Sequence, residues 1–323
     1  MILQYRWKIN VFFGISSGVY YLCLCEFVNI RMQQGKTVKK KNGFGTAAVY
    51  LTSISSVLGA ILFLRFGYAT GTLGFWGALG IILLGHMITI PTALALSELA
   101  TNTRVEGGGE YFMISRSFGL KIGSTIGITL FLSQTISIAF YIIAFAESFQ
   151  FLFDWCLNRF GFILPRQAIS LPVMFVFAFV ILKQGAGSGM KLLYIVTAIL
   201  FLSLILFFLG KPIEYPEDPT YVVGNNFGFF RKEQFFIIFA ICFPAFTGMT
   251  AGVGLSGDLR NPGKAIPLGT MLGTFTGLVV YIFVIWKLAI SASQEELIND
   301  QMIMSKISLF GEVVVPLGLA ACT

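Results

Sequence analysis

Two segments carry residue types suited to ion chemistry: Ser55-Ser56-Val57-Leu58-Gly59 and Phe243-Pro244-Ala245-Phe246-Thr247-Gly248. Each interrupts a long apolar stretch with small or helix-breaking residues. Glycine and proline are tolerated inside a membrane span only where the freed backbone groups find partners, and a water-accessible substrate site supplies them. Interrupted helices at corresponding places mark the cargo site of a secondary transporter. If the first helix unwinds around Ser56 and Leu58, carbonyls of its outgoing half face the gap, and the amides of Gly59, Ala60 and Ile61 open the next half. Carbonyl oxygens suit a cation; free amides at a positive helix end suit an anion. The plainer reading of this segment is a close helix contact through small residues. In the second segment Pro244 donates no amide, Gly248 loosens the backbone four residues on, and Thr247 adds a hydroxyl. A proline kink without a ligand is the alternative there.

Further residues could serve such a site. The phenol of Tyr141 could lend oxygen to a desolvated cation, although a lone tyrosine in a membrane helix more often packs or anchors at the interface. Arg65 and Glu147 stand near the ends of spans one and three, where ionisable groups are costly against lipid, so a salt bridge between them would close the outer mouth. His86, the only histidine, has no carboxylate within a turn or two and reads as a hydrogen-bonded structural residue. The run Glu106-Gly107-Gly108-Gly109-Glu110 lacks the phosphate-loop lysine and reads as a hinge in an inner loop. Asp258 with Arg260 and Lys264 forms a charge cluster at an inner end. No nucleophile triad, metal-ligand spacing or catalytic carboxylate pair is present, which argues against an enzyme and against a cofactor.

The elements that must position these residues are membrane helices. Of 323 residues, 56% are hydrophobic and 11% charged, against about 25% charged in soluble domains. Apolar runs give spans near 46 to 65, 73 to 100, 122 to 153, 166 to 183, 190 to 210, 233 to 257 and 265 to 290, with an eighth starting near 309. Basic residues number twelve in segments on the side of the N-terminus and eight on the other, which favours a cytoplasmic N-terminal side. The net charge of +7 is scattered over short loops, as membrane orientation requires, so no nucleic-acid partner is indicated. Residues 9 to 30 could lie on or in the membrane. Five cysteines show no disulfide or metal spacing.

Gly59 and Gly248 stand 189 residues apart, in spans one and six. That echo suggests an all-α polytopic membrane protein built as an inverted five-plus-five helix repeat, with about the first seven to eight spans present. The organisation expected is an N-terminal segment 1–43, a first repeat 44–210 and an incomplete second repeat 211–323, in a chain truncated at its C-terminal side.

From about Phe44 to Thr323 the sequence resembles the cation-chloride cotransporter family, within the amino acid-polyamine-organocation superfamily, and especially its shorter microbial-type members. The markers are Gly59-Ala60-Ile61-Leu62-Phe63-Leu64-Arg65, Ala100-Thr101-Asn102, Gly107 through Ser117, Phe140-Tyr141 with Phe145-Ala146-Glu147, Phe243 through Gly248, Ser256-Gly257-Asp258-Leu259 and Ala265-Ile266-Pro267. The resemblance implies coupled, roughly electroneutral movement of chloride with potassium, sodium or both across the plasma membrane. By its pattern Tyr141, Pro244, Thr247 and the backbone near Ser56 and Val57 would hold potassium. The amides of Gly59, Ala60 and Ile61 would hold one chloride, those of Gly248, Met249 and Thr250 a second, and Arg65 with Glu147 would form the outer gate. Partners are then small inorganic ions and the lipid bilayer, and a homodimer is left open. Animal members commonly have asparagine where this chain has Ser56; the sodium-site hydroxyls and a chloride-contacting tyrosine would lie beyond Thr323. An amino acid or amine permease of the same superfamily is the first alternative, and a non-transporting membrane fragment, sensor or scaffold the second.

Overall fold

The computed structural model describes residues 43–102, 107–161, 164–184, 186–213 and 232–322. The apolar stretch 9–30 and most of the loop 211–233 lie outside these residues. Among the described residues, five helical stretches are long and apolar enough to cross a bilayer, so the chain is an all-α, multi-pass membrane protein.

Helix α1 (Thr46–Val57) and helix α2 (Ala60–Asn102) are separated only by Leu58 and Gly59. At 1.5 Å per residue, the 43 residues of α2 would extend about 64 Å, twice the hydrocarbon thickness, so they must make more than one crossing. The turn falls at Gly74, whose φ of 69° and ψ of 177° are non-helical and suit a residue without a Cβ. Span one therefore runs to Leu73 instead of the expected 65, and Arg65 lies within it. Helices α3 (Gly109–Phe118) and α4 (Leu120–Glu147) meet at Gly119, which has φ 85°. Span three ends at Glu147 and not at 153, because Phe149 (ψ 23°) leaves the helical region before α5 (Gln150–Phe160) begins. Helices α6 (Gln167–Gln184) and α7 (Ala186–Leu209) follow. Beyond the loop come α8 (Lys232–Phe246), a 3₁₀ helix (Thr247–Asp258), α9 (Pro262–Ser291), the short α10 (Gln294–Asn299) and α11 (Ile303–Ile307), and α12 (Gly311–Cys322).

The contact that sets the site's frame is α9 against α1. Gly269, Gly273 and Gly277 recur every four residues along α9, and a Cβ on them would come within 2.6 Å of Val49 Cβ, 2.9 Å of Ser53 Cβ and 2.5 Å of Val57 Cγ1. Residues four apart share a helix face, so this stripe lets the two backbones approach closely. The facing residues Val49, Ser53 and Val57 repeat at the same interval. Small residues do this work because lipid tails give helices no hydrophobic reason to associate, and close packing must supply the attraction.

Two ends of the bundle are tied by hydrogen bonds. At one end, the segment before α1 forms a parallel bridge between Phe44 and Leu259: Phe44 N donates to Asp258 O at 2.9 Å and Arg260 N to Phe44 O at 2.8 Å. Beside it Gly109 N donates to Ser256 Oγ at 3.2 Å, and Val49, Ala100, Met113, Val253, Leu259, Ala265 and Ile266 form a small apolar cluster. At the other end, α10 and α11 lie against the first part of α2, where a Cβ on Gly67 would meet Ile303 Cγ2 at 2.7 Å. Gln294 Nε2 donates to Gly71 O at 3.0 Å. There too Lys287, only 9% exposed, donates from Nζ to Gly210 O at 2.8 Å, and Ile213 N donates to Ser291 O at 2.8 Å.

Candidate functional site

The first expected interruption is a true one. Leu58 (φ −83°, ψ 39°) ends α1, its amide donating to Ile54 O, and Gly59 hands the chain to α2. The last carbonyls of α1 and the first amides of α2 have no partners inside their own helices, as at any helix end. Leu62 N, in the first turn of α2, donates back to Gly59 O at 3.0 Å. The amides of Gly59, Ala60 and Ile61 thus stand at the positive end of a long helix, with the carbonyl ends of Ser56 and Val57 beside them.

The second interruption takes a different form. Helix α8 continues through Pro244 to Phe246 and passes directly into the 3₁₀ helix, Phe246 itself being right-handed helical (φ −84°, ψ −14°). The winding tightens without a gap. An open half-helix end with free amides at Gly248, Met249 and Thr250, as the family resemblance implied, is not what forms, since these residues sit within continuous winding. The physical reason is that proline removes one amide but leaves φ helical, so a helix can pass through it when its neighbours re-satisfy the freed carbonyls. A 3₁₀ run of 12 residues is well beyond the usual three or four, and such stretches inside a helix mark functional hinges.

The two altered segments meet. A Cβ on Gly248 would lie 2.6 Å from Ser56 C, 2.7 Å from Val57 N and 2.8 Å from Ser56 Cβ. Ser53 Oγ donates to Met249 O at 2.9 Å in the buried interior, and Thr274 Oγ1 approaches Met249 Sδ at 3.6 Å. Thr247 is exposed, and its hydroxyl donates to Pro244 O at 2.8 Å. With the proton turned away, the lone pairs of Thr247 Oγ1 are left to accept. Tyr141 is half-buried near the end of α4, its ring 5.8 Å from that of Phe140 between centroids.

The expected ion pair between Arg65 and Glu147 is not formed. Glu147 Oε1 is 3.2 Å from the guanidinium of Arg166, just ahead of α6, and both groups are partly exposed. Glu147 closes α4, and the chain returns through α5 to bring Arg166 alongside it, whereas Arg65 lies on the first part of α2, inside span one. His86 is buried with Nδ1 2.8 Å from Ile82 O, in keeping with its structural reading.

Two features were missed in the sequence. Tyr281, fully buried, donates its phenolic hydrogen to Val57 O, the carbonyl that ends α1. The other is a row on α4: Thr125, Thr129, Ser133, Ser137 and Tyr141 recur every four residues, each step turned about 40° from the last, so the row winds slowly about the helix. The four-residue period was available as a signal. Thr129 Oγ1 turns back to Thr125 O at 3.0 Å, so its hydroxyl is satisfied locally, but a polar stripe this long is costly against lipid and suits a watered passage. Ser133→Cys should accordingly react with a membrane-impermeant thiol reagent, whereas Phe131→Cys, at a 71% exposed apolar position, should not. Equal inertness of the two cysteines would place the stripe against lipid or protein.

The amino acid permease family model matches residues 48–322. Solute carrier family 12 member 1 of Mus musculus is 34% identical over 249 residues, covering 72% of this chain and 22% of its own length. Solute carrier family 12 member 2 of Mus musculus is 32% identical over 248 residues, with 72% and 20% covered. Vacuolar cation-chloride cotransporter 1 of Saccharomyces cerevisiae is 29% identical over 315 residues, with 88% and 28% covered. The chain thus spans between a fifth and three tenths of the length of these curated relatives.

Proposed function

Since the chain belongs to the amino acid permease family, a family of membrane transporters and not of enzymes, we propose that its cargo is chloride moved together with potassium, sodium or both. The observation that carries this reading is the meeting of the two altered helices at Gly248, Ser56 and Val57. It sets helix-end carbonyls, a hydroxyl acceptor and helix-start amides side by side, and so provides for both signs of charge. The similarity to a yeast protein whose name is that of a cation-chloride cotransporter supports the choice of ions.

In this reading the cation sits among the Ser56 and Val57 carbonyls, Pro244 O, Thr247 Oγ1 and the Tyr141 phenol. Chloride lies at the amides of Gly59, Ala60 and Ile61. A second chloride position at Gly248, Met249 and Thr250 requires the 3₁₀ winding to open first. The organisation is two inverted repeats, 44–210 and 211 onward, in the plasma membrane. Arg65 and Glu147 would pair as an outer gate only if Glu147 exchanged its present partner, Arg166.

Rubidium uptake by vesicles carrying the intact protein should require chloride on the same side. Thr247→Ala should raise the rubidium concentration for half-maximal uptake by about tenfold, the equivalent of 1.4 kcal/mol for one lost oxygen ligand, with chloride dependence altered little. Uptake of an amino acid without chloride in the same vesicles would instead favour the permease reading, in which the same helix ends hold a carboxylate and an amine. Membrane insertion and multiple crossings do not depend on which cargo is right.

A further inference from the structure

Tyr281 is the next residue in the series that starts Gly269, Gly273 and Gly277, so it projects from the face of α9 that packs on α1. Where the glycines let the backbones touch, the larger ring reaches past the end of α1. Its environment holds it in one place. The ring centroid is 4.6 Å from Phe66 of α2, 5.2 Å from Phe246 of α8 and 6.4 Å from His86, beyond the Gly74 turn of α2. These neighbours contact one another as well, His86 with Phe246 at 5.0 Å and Phe66 with Phe246 at 6.1 Å. The side chain is fully buried, and its hydroxyl donates to Val57 O.

We propose that Tyr281 is a positioning residue for the cation, fixing the direction of the Val57 carbonyl that closes the first half-helix. The inference deepens the cation-chloride reading and rests on it. A carbonyl oxygen carries two lone pairs, so the phenol can occupy one and leave the other facing the break. Without that donor the end of α1 is an ordinary helix terminus, whose last carbonyls lack partners and whose last turn frays. A donor locked by aromatic rings of α2 and α8 cannot fray with it. The carbonyl therefore waits in its binding direction before the ion arrives, and preorganisation of this kind lowers the cost of binding. The alternative is that the phenol stands in for the cation and competes with it. The packing argues against this, because the ring has no room to withdraw when an ion enters.

Tyr281→Phe keeps the ring and the aromatic contacts while deleting the hydroxyl, so the fold should survive. In vesicles carrying the intact protein, the rubidium concentration for half-maximal uptake at saturating chloride should rise about tenfold, the size of one hydrogen bond. The corresponding value for chloride at saturating rubidium should stay within about twofold, well below the effect of one lost hydrogen bond. A lower rubidium value would show competition and overturn the proposal. Unchanged values with a reduced maximal rate would reduce Tyr281 to packing and overturn it as well. If the wild-type protein takes up an amino acid in place of rubidium, the cation reading fails separately. The same variant then tests Tyr281 against the substrate amine: a raised half-saturation upholds the positioning role, and an unchanged one removes it.

Discussion

Gly248→Ala is expected to reduce uptake by about tenfold or more and to destabilise the protein by about 1–3 kcal/mol, the usual cost of overpacking a tight interior. The added methyl would fall 2.6 to 2.8 Å from the carbonyl carbon and Cβ of Ser56 and the amide nitrogen of Val57. Two of those atoms are backbone and none is the end of a flexible side chain, so relief requires α1 and the 3₁₀ helix to separate. That separation would pull apart the groups proposed to hold ions. Ser53 Oγ, bonded to Met249 O one residue away, would be strained with them. Gly254→Ala is the matched control, on the same 3₁₀ helix with nothing within 4 Å of the new Cβ. Uptake and thermal unfolding of the two variants in parallel decide the matter. If Gly248→Ala behaves like Gly254→Ala, close approach of the two segments is not needed.

Lys287→Met carries the other large expected effect, a loss of about 1–3 kcal/mol from leaving a buried carbonyl without its donor. Lys287 is 9% exposed near the end of α9 and donates to Gly210 O, just past the last residue of α7. A cation there also meets the negative end of the α7 dipole. Methionine fills a similar volume and offers no donor. The comparison is Lys306→Met, since Lys306 is 62% exposed and lies 2.8 Å from Asp300. The hydrogen bond to Asp300 holds the Lys306 ammonium above the usual lysine range. A surface pair of that kind nevertheless contributes only about 0–1 kcal/mol. Thermal unfolding in one detergent should therefore show a clear drop for Lys287→Met and little for Lys306→Met. Equal small drops would mean that water or another group replaces the lysine at Gly210.

The membrane class and the place of most spans were legible because hydrocarbon imposes a minimum length of apolar residues, which composition records directly. The first break was legible because Ser55, Ser56 and Gly59 hold a helix weakly inside a span, although the same small residues would equally serve a close helix contact. Boundaries set by a single dihedral were less visible. Gly74 looks like any of the 35 glycines, and its left-handed φ decides that span one extends to Leu73. Pro244 misled in the opposite direction. Its sequence signature is that of a stop, but its φ suits helix, and the chain tightens through Thr247 instead of opening. Ion pairs were least legible, since the choice between Arg65 and Arg166 for Glu147 depends on how α5 returns the chain. Tyr281 and the α4 stripe were missed because both signals are four-residue periods of mixed chemistry, outweighed locally by aliphatic neighbours.

The 3₁₀ winding has a mechanical meaning. Twelve residues rising about 2.0 Å each reach about 24 Å, whereas the same residues coiled as an α-helix would reach about 18 Å. Its far end is tied to the segment before α1 by main-chain hydrogen bonds among Phe44, Asp258 and Arg260. Rewinding those residues as an α-helix would shorten the segment by about 6 Å, roughly one α-helical turn, and would draw in the end that carries Val253 and Leu259.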